Sequence, residues 1–255
     1  MKIAISQPAY LPWCGFFDLV DQVDQFVFLD DAQFVKQSWH HRNRIKTPTG
    51  LQWLTVPVAY HGRLGQPISQ VIIRDPQFWE KHARAVEVNY GKARYFHLYY
   101  PPLREILQRY SSGGQLLDLN IDLIEWLAGE LKITTPVVRS SSLNTDGQRS
   151  FKLVSICKLL GATEYVSPRS AVYLLDDLSL FAESDLQVRF QNYMHPTYDQ
   201  RFGPFAPYAS VLDLLLNHGR ASREILQSGR ALALRPEDVQ PVEKDSVEKV
   251  EAASA

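Results

Sequence analysis

One recurrence constrains this chain more than any other feature. Seven short runs read as strands: Lys2–Ser6, Gln25–Leu29, Trp53–Val58, Val71–Arg74, Pro136–Ser140, Glu164–Val166 and Gln187–Phe190. Most are apolar on both faces, as strands covered on both sides of a parallel sheet are. Helical patterns lie between many of them. Phe16–Val23 is the first and is short. "DPQFWEKHARAVEVNYG" offers Asp75 as an N-cap and Pro76 as a first helical residue, and stops at Gly91. Leu103–Tyr110 follows a proline pair, and Leu116–Leu131 is amphipathic. "SFKLVSICKLLGATEYVSP" reads as helix, Gly161 stop, then strand, and "YASVLDLLLNHG" as a helix ending at Gly219. Alternation of this kind predicts an α/β fold with a mainly parallel sheet. Residues 75–131 form an inserted helical layer, and the helices of Tyr208–Leu232 are expected on one sheet edge.

With 255 residues, 45% of them hydrophobic, the chain can bury a large core. The reading is a single domain over residues 1–235. Residues 236–255 hold six acids against two bases and few large apolar side chains, the composition of a disordered acidic tail. Net charge is −1, so no global field attracts nucleic acid or an anionic membrane. Two distant cysteines predict neither a disulfide scaffold nor a CxxC site. No apolar run approaches the roughly 20 residues of a membrane span, and the N-terminus lacks a signal peptide's apolar core. The expected location is the cytoplasm.

Ligands of open α/β sheets bind at the carboxyl ends of the strands, so the loops there are read first. After the first strand comes "QPAYLPWCGFF", stiffened by two prolines. Gln7 falls at the strand end, with Tyr10 and Trp13 as walls. After the second strand, "FVFLDDAQFVKQSW" places Asp30 and Asp31 together, with Gln33, Lys36 and Trp39 behind them. Two carboxylates at a strand end orient an amine, act as a base, or hold Mg²⁺ with a substrate phosphate; a turn cap is the alternative. A basic loop, "KQSWHHRNRIK", then carries Arg42, Asn43 and Arg44 and no acid. Guanidinium forks match phosphate and carboxylate. Of the adjacent His40 and His41, at most one can reach a site, since neighbours on a strand point oppositely.

A third cluster, "FQNYMHPTYDQRFGPF", follows the last strand and supplies His195, Tyr198 and Gln200. His195 is the candidate acid–base group. "RSSSLN" offers hydroxyls to an anion or caps a helix, and Ser167 and Arg169 fall at another strand end. Neither GxGxxG nor GxxxxGK[ST] occurs, and His and Cys are too scattered to predict a metal site.

Four segments taken together, "QPAYLPWCGFFDLV", "DQFVFLDDAQFVKQSWHHRNRI", "LLGATEYVSP" and "MHPTYDQRFGPFAPYASVLDLLLNHG", resemble the WbqC-like family in content and order, from the N-terminus to about Gly219. The resemblance implies a place in bacterial surface-polysaccharide (O-antigen) synthesis. It also implies transfer of glycine or a similar acyl group to a sugar, with amide formation. Motif positions carried over include Gln7, Tyr10, Gly15, Asp30, Asp31, Gln33, Arg42, Asn43, Arg44, His195, Tyr198, Gln200, Ser210, Asp213 and Asn217. The opening order of elements is also similar to nucleotidylyltransferase-like enzymes, which implies a Rossmann-like sheet, although their HxGH signature is absent.

The expected function is therefore an acyl or aminoacyl transferase, or amide ligase, acting on a sugar or nucleotide-sugar. Its partners are a small sugar or amino acid, with ATP and Mg²⁺ left open as cofactors. The alternatives are a nucleotidyltransferase-type enzyme that activates a small acid or sugar phosphate, and a non-catalytic module binding a nucleotide or nucleic acid.

Overall fold

A computed structural model describes residues 1–60, 62, 65–169, 171 and 178–239. Five strands form one parallel sheet: β1 (Lys2–Ser6), β2 (Gln25–Phe28), β5 (Val137–Arg139), β6 (Glu164–Ser167) and β7 (Gln187–Phe190), in the order β5-β2-β1-β6-β7. The chain builds outward from β1 to β2 and β5, then returns past β1 to lay down β6 and β7. The direction of winding reverses between β1 and β6, the topological switch point of a Rossmann-like sheet.

Side-chain alternation explains how this sheet is covered on both faces. Ala4, Phe26, Phe28 and Val166 belong to the larger core, with Phe16, Phe17, Leu19 and Val20 of α1 (Cys14–Asp21). Their strand neighbours Ile3, Ile5, Val27 and Tyr165 face the smaller core, with Val154, Ile156 and Cys157 of α5 (Arg149–Leu159) and Phe181 of α6 (Ser179–Ala182). Successive residues on a strand point to opposite faces, so two apolar faces demand the continuous apolar runs seen in the sequence.

The inserted helices α2 (Phe78–Tyr90), α3 (Phe96–Arg109) and α4 (Leu116–Glu130) enlarge the first core. Helix α2 begins later than the sequence suggests, because Asp75 spends its carboxylate on the Gln77 N–H, 2.9 Å away, outside the helix. Helix α3 begins earlier and runs through Pro101 and Pro102. Interior prolines remove backbone bonds; burial of Tyr99, Leu103, Ile106 and Leu107 offsets that cost.

Three expectations are corrected. The basic loop contains a strand, β3 (Arg42–Thr47), which pairs antiparallel with β4 (Gly50–Thr55) in a separate hairpin, Arg44 opposite Trp53. The run expected as Trp53–Val58 is therefore outside the main sheet. Val71–Arg74 forms isolated bridges rather than a strand, Ile73 with Val58 and Ile72 with Gln115. Finally, α7 (Val211–His218) lies inside the larger core rather than at a sheet edge, with every residue from Val211 to Leu216 buried. A helix apolar all round belongs in a core. Ser210 caps it by accepting from the Leu212 N–H, and α8 (Ser222–Ser228) then packs near α1. Among the described residues no helix is long and apolar enough to cross a membrane. The acidic tail from residue 240 onward lies outside the described residues.

Candidate functional site

A crevice of about 1040 Å³ opens at the carboxyl ends of β1, β2 and β6, at the switch point. Ser6 and Gln7 line it from β1, and Leu29, Asp31, Ala32 and Gln33 from the loop after β2. Tyr165 and Pro168 come from β6 and its exit, and Gly147, Gln148, Arg149 and Lys152 from the start of α5. Gly147 has φ +101, and a Cβ there would fall 2.2 Å from the Phe151 ring. Only glycine lets the chain turn into α5 so closely.

The two adjacent carboxylates are not equivalent. Asp30 is 1% exposed. Its Oδ1 accepts from the Ser141 N–H (2.9 Å) and its Oδ2 from Ser141 Oγ (2.7 Å), while Ser140 Oγ lies 3.0 Å from Oδ1 with its single proton shared with Asp31. The serine run thus binds an anion, but the anion is the protein's own, and the bonds tie the ends of β2 and β5. Asp31 is half-buried and lines the crevice. It accepts from Ser140 Oγ at 2.6 Å and forms an ion pair with Lys152 Nζ. One acid is consumed by structure; the other faces the ligand space beside a cation.

Gln7 also faces this space. Its Oε1 is 2.7 Å from His40 Nε2. The loop carrying His40 is docked on the first loop by the Tyr10 N–H, which donates to Trp39 O, and by Asn120 Nδ2, which donates to His40 O. Burial holds the His40 pKa down to about 4, with His41 adding to the effect. His41 is committed to the backbone, its Nδ1 to Val56 O and its Nε2 to the Gln37 N–H.

The remaining candidates gather elsewhere. Tyr10 is wholly enclosed, its hydroxyl 2.7 Å from His82 Nδ1. Asn43 is buried and donates to Tyr10 O and Leu11 O. Arg42 stacks over Trp53 at 4.1 Å, Arg44 lies 5.3 Å from both Trp39 and Trp53, and Lys36 lies over Tyr60. Arg44 also donates to Tyr208 O, and the Ser210 N–H donates to Arg44 O. Trp13 stacks on His195 and meets Tyr193 and Tyr208 edge-on. His195 Nδ1 contacts Pro196 O, while its Nε2 is buried without a hydrogen-bond partner among the described residues. Tyr198 and Gln200 both donate to Asp213 Oδ2, and Tyr90 donates to Oδ1. Asp213 is fully buried, and burial raises its pKa despite these donors.

So Gln7, Asp31 and Gln33 share the crevice, while Trp13, Trp39, Arg42, Arg44 and His195 belong to an aromatic–cationic region around the hairpin. Sequence reasoning missed Arg149 and Lys152. The available signal was "DGQRSFK", a glycine-led helix start with two cations one turn apart, following a strand.

The crevice has room for a nucleotide. Arg149, Lys152 and the first-turn N–H groups of α5 are suited to a phosphate or carboxylate. Its acids suit a protein-held Mg²⁺ less well, because Asp30 is buried and bonded by Ser141 through both N–H and hydroxyl, and Asp31 is already engaged by Lys152 and Ser140. Among the described residues no group of three or more His, Cys, Asp or Glu could hold a metal ion.

An open parallel sheet with a crevice at its switch point defines an α/β protein of Rossmann-like layout. The sequence profile of the WbqC-like protein family matches residues 7–225, and the chain belongs to that family. A similar protein, described as uncharacterized protein Rv1507c of Mycobacterium tuberculosis (strain ATCC 25618 / H37Rv), is 37% identical over 228 residues, 89% of this chain and 97% of the relative. No solved structure matches the chain.

Proposed function

We propose that the crevice transfers an acyl or aminoacyl group to the amine of a sugar or nucleotide-sugar, forming an amide for surface-polysaccharide assembly. The observation that carries this reading is Asp31, a carboxylate facing the crevice and held by Lys152. The amine nitrogen attacks the activated acyl carbon, the C–N bond forms, and the bond to the leaving group breaks. Asp31 orients the amine and takes its proton. Arg149, Lys152 and the start of α5 hold the anionic leaving group or a sugar-linked phosphate. The aromatic–cationic region with Arg42, Arg44 and His195 shapes the protein beside the crevice. Cys14 and Cys157, both free and buried, suit a reducing cytoplasm.

Glycine, ATP and UDP-glucosamine, incubated with the protein, should give a nucleotide-sugar heavier by one glycyl group in mass spectrometry. Asp31→Asn should slow this by roughly 10²–10⁴-fold, the usual contribution of a positioned base, without a change in thermal midpoint. An unaffected Asp31→Asn rate would remove Asp31 from the mechanism. The switch-point position of the crevice also favours a second reading, nucleotidyl transfer to a small acid or sugar phosphate. Pyrophosphate release without any amide product would decide for it.

A further inference from the structure

We propose that His40 is a positioning residue that locks Gln7 with its amide –NH₂ presented to the crevice, where it donates to the carbonyl oxygen of the acyl group being transferred; this use rests on the transfer reading above. The argument starts from a donor. The Val35 N–H lies 3.3 Å from His40 Nδ1. An N–H can only donate, so Nδ1 must carry the lone pair. The neutral ring then holds its proton on Nε2. His40 is 5% exposed and packs against Phe34, surroundings that favour the neutral ring.

The tautomer settles the side-chain amide in turn. Nε2–H points at Gln7 from 2.7 Å, so Gln7 must present its oxygen there. The flipped amide would set donor against donor. The –NH₂ is therefore not used by His40, and no described residue accepts from it. Gln7 is half-buried and lines the crevice, so this –NH₂ is a neutral donor available to a ligand, on the same crevice as Asp31.

Loop docking makes the arrangement rigid. Asn120 Nδ2 lies within bonding distance of both His40 O (2.7 Å) and Pro8 O (3.4 Å), and so clamps the two loops that carry the pair. As the amine adds to the acyl carbon, the carbonyl oxygen gains negative charge. A donor already aimed and needing no reorganisation stabilises that charge most. The site thus reads an acceptor oxygen, and the part of the substrate at Gln7 is the acyl carbonyl rather than an ammonium group.

Two independent measurements test this. In ¹⁵N-histidine-labelled protein, His40 should be neutral with its proton on Nε2 from pH 5.5 to 8. An Nδ1–H tautomer, or an imidazolium at pH 6, overturns the proposal. In the glycine, ATP and UDP-glucosamine assay, Gln7→Glu keeps the oxygen for His40 but loses the donor. It should lower kcat about 100-fold while KM for UDP-glucosamine changes less than about threefold. His40→Leu should lower kcat by roughly tenfold, and His40→Gln, which can still donate, should restore most of it. Equal KM and kcat effects, or no effect of Gln7→Glu, would overturn the role in transfer. If the wild-type protein makes no amide at all, the transfer reading falls, and the imidazole spectrum still decides whether His40 sets the Gln7 amide.

Discussion

The indole of Trp13 and the imidazole of His195 stack with ring centroids 5.8 Å apart and planes 21° from parallel. This contact joins the loop after β1 to the loop after β7. The first loop therefore serves two places: Gln7 faces the crevice, and Trp13, six residues on, faces the aromatic region.

Gly15 permits that stack. A Cβ at Gly15 would lie 2.2 Å from the Trp13 ring. Gly15→Ala should push the indole off His195 and cost about 1–3 kcal/mol, the usual range for overpacking. Urea unfolding measures the cost, and tryptophan fluorescence, compared with Trp13→Phe, reports the displacement. Unchanged emission would mean that the ring does not occupy this place.

The two acids should separate cleanly by phenotype. Asp30→Asn brings an –NH₂ among Ser140 Oγ, Ser141 Oγ and the Ser141 N–H. A buried polar group left badly paired costs roughly 1–3 kcal/mol, more when a charge is involved. Asp31→Asn should leave stability nearly unchanged and slow turnover. Thermal melts of both variants check this; a destabilised Asp31→Asn beside an unaltered Asp30→Asn would reverse the assignment.

Arg230 holds the C-terminal segment on α1. It donates from Nε to Asp18 Oδ1 and from Nη2 to Asp21 Oδ2, and Gln191 and Arg223 extend the network. The Asp18 side chain is 0% exposed. Burial raises its pKa, and Arg230 acts against that rise. Arg230→Ala leaves this carboxylate without its cation and should cost roughly 3–5 kcal/mol. Hydrogen exchange should show α8 losing protection first; a loss below 1 kcal/mol would show that Gln191 alone suffices.

Acid should destabilise the fold through its histidines. Burial holds both His40 and His82 down to about pKa 4, and lowers His41 and His195 as well. At His40 and His82 the unfolded chain binds a proton below about pH 6.5 and the folded chain only near pH 4, so their contribution to stability is full above that range and falls as pH drops through it; His41 and His195 act in the same direction. Asp18 and Asp213, whose pKa values are raised, contribute with the opposite sign. His82→Gln isolates one group, since glutamine can still accept from Tyr10 and donate to Thr55 O. Relative to the wild type, this variant should gain on the order of 2–3 kcal/mol between pH 7 and pH 4.5 in urea unfolding. A pH-independent difference would show that His82 titrates normally.

Much of the sheet is legible in the sequence because parallel strands covered on both faces are apolar throughout. Lys2–Ser6 and Gln187–Phe190 are observed with their expected bounds, Gln25–Leu29 and Glu164–Val166 shift by one residue at an end, and Pro136–Ser140 loses one residue at each end. "RNRIKT" is not legible as a strand. Its burial comes from partners far along the chain, such as Ser210 on Arg44 O, Tyr90 on the Lys46 N–H, and Pro204 O on Lys46 Nζ. Within the site, Gln7, Asp31 and Gln33 were visible as polar residues at strand ends. Lys152 was not, because on an amphipathic helix it reads as one more surface cation.

The sequence alone determined that this chain is an α/β protein with polar loops at its strand ends. Those properties depend on side-chain period and on local turn chemistry. Tertiary structure decided the strand order, the burial of α7, and which polar residues are spent on the fold. Asp30 and Asp31 are chemically identical neighbours. They differ because Ser141, more than a hundred residues away, binds the first through its N–H and hydroxyl and helps bury it, while the second lines the crevice with Lys152 and Ser140. Hydrogen-bond capacity is finite, and only the folded arrangement allocates it.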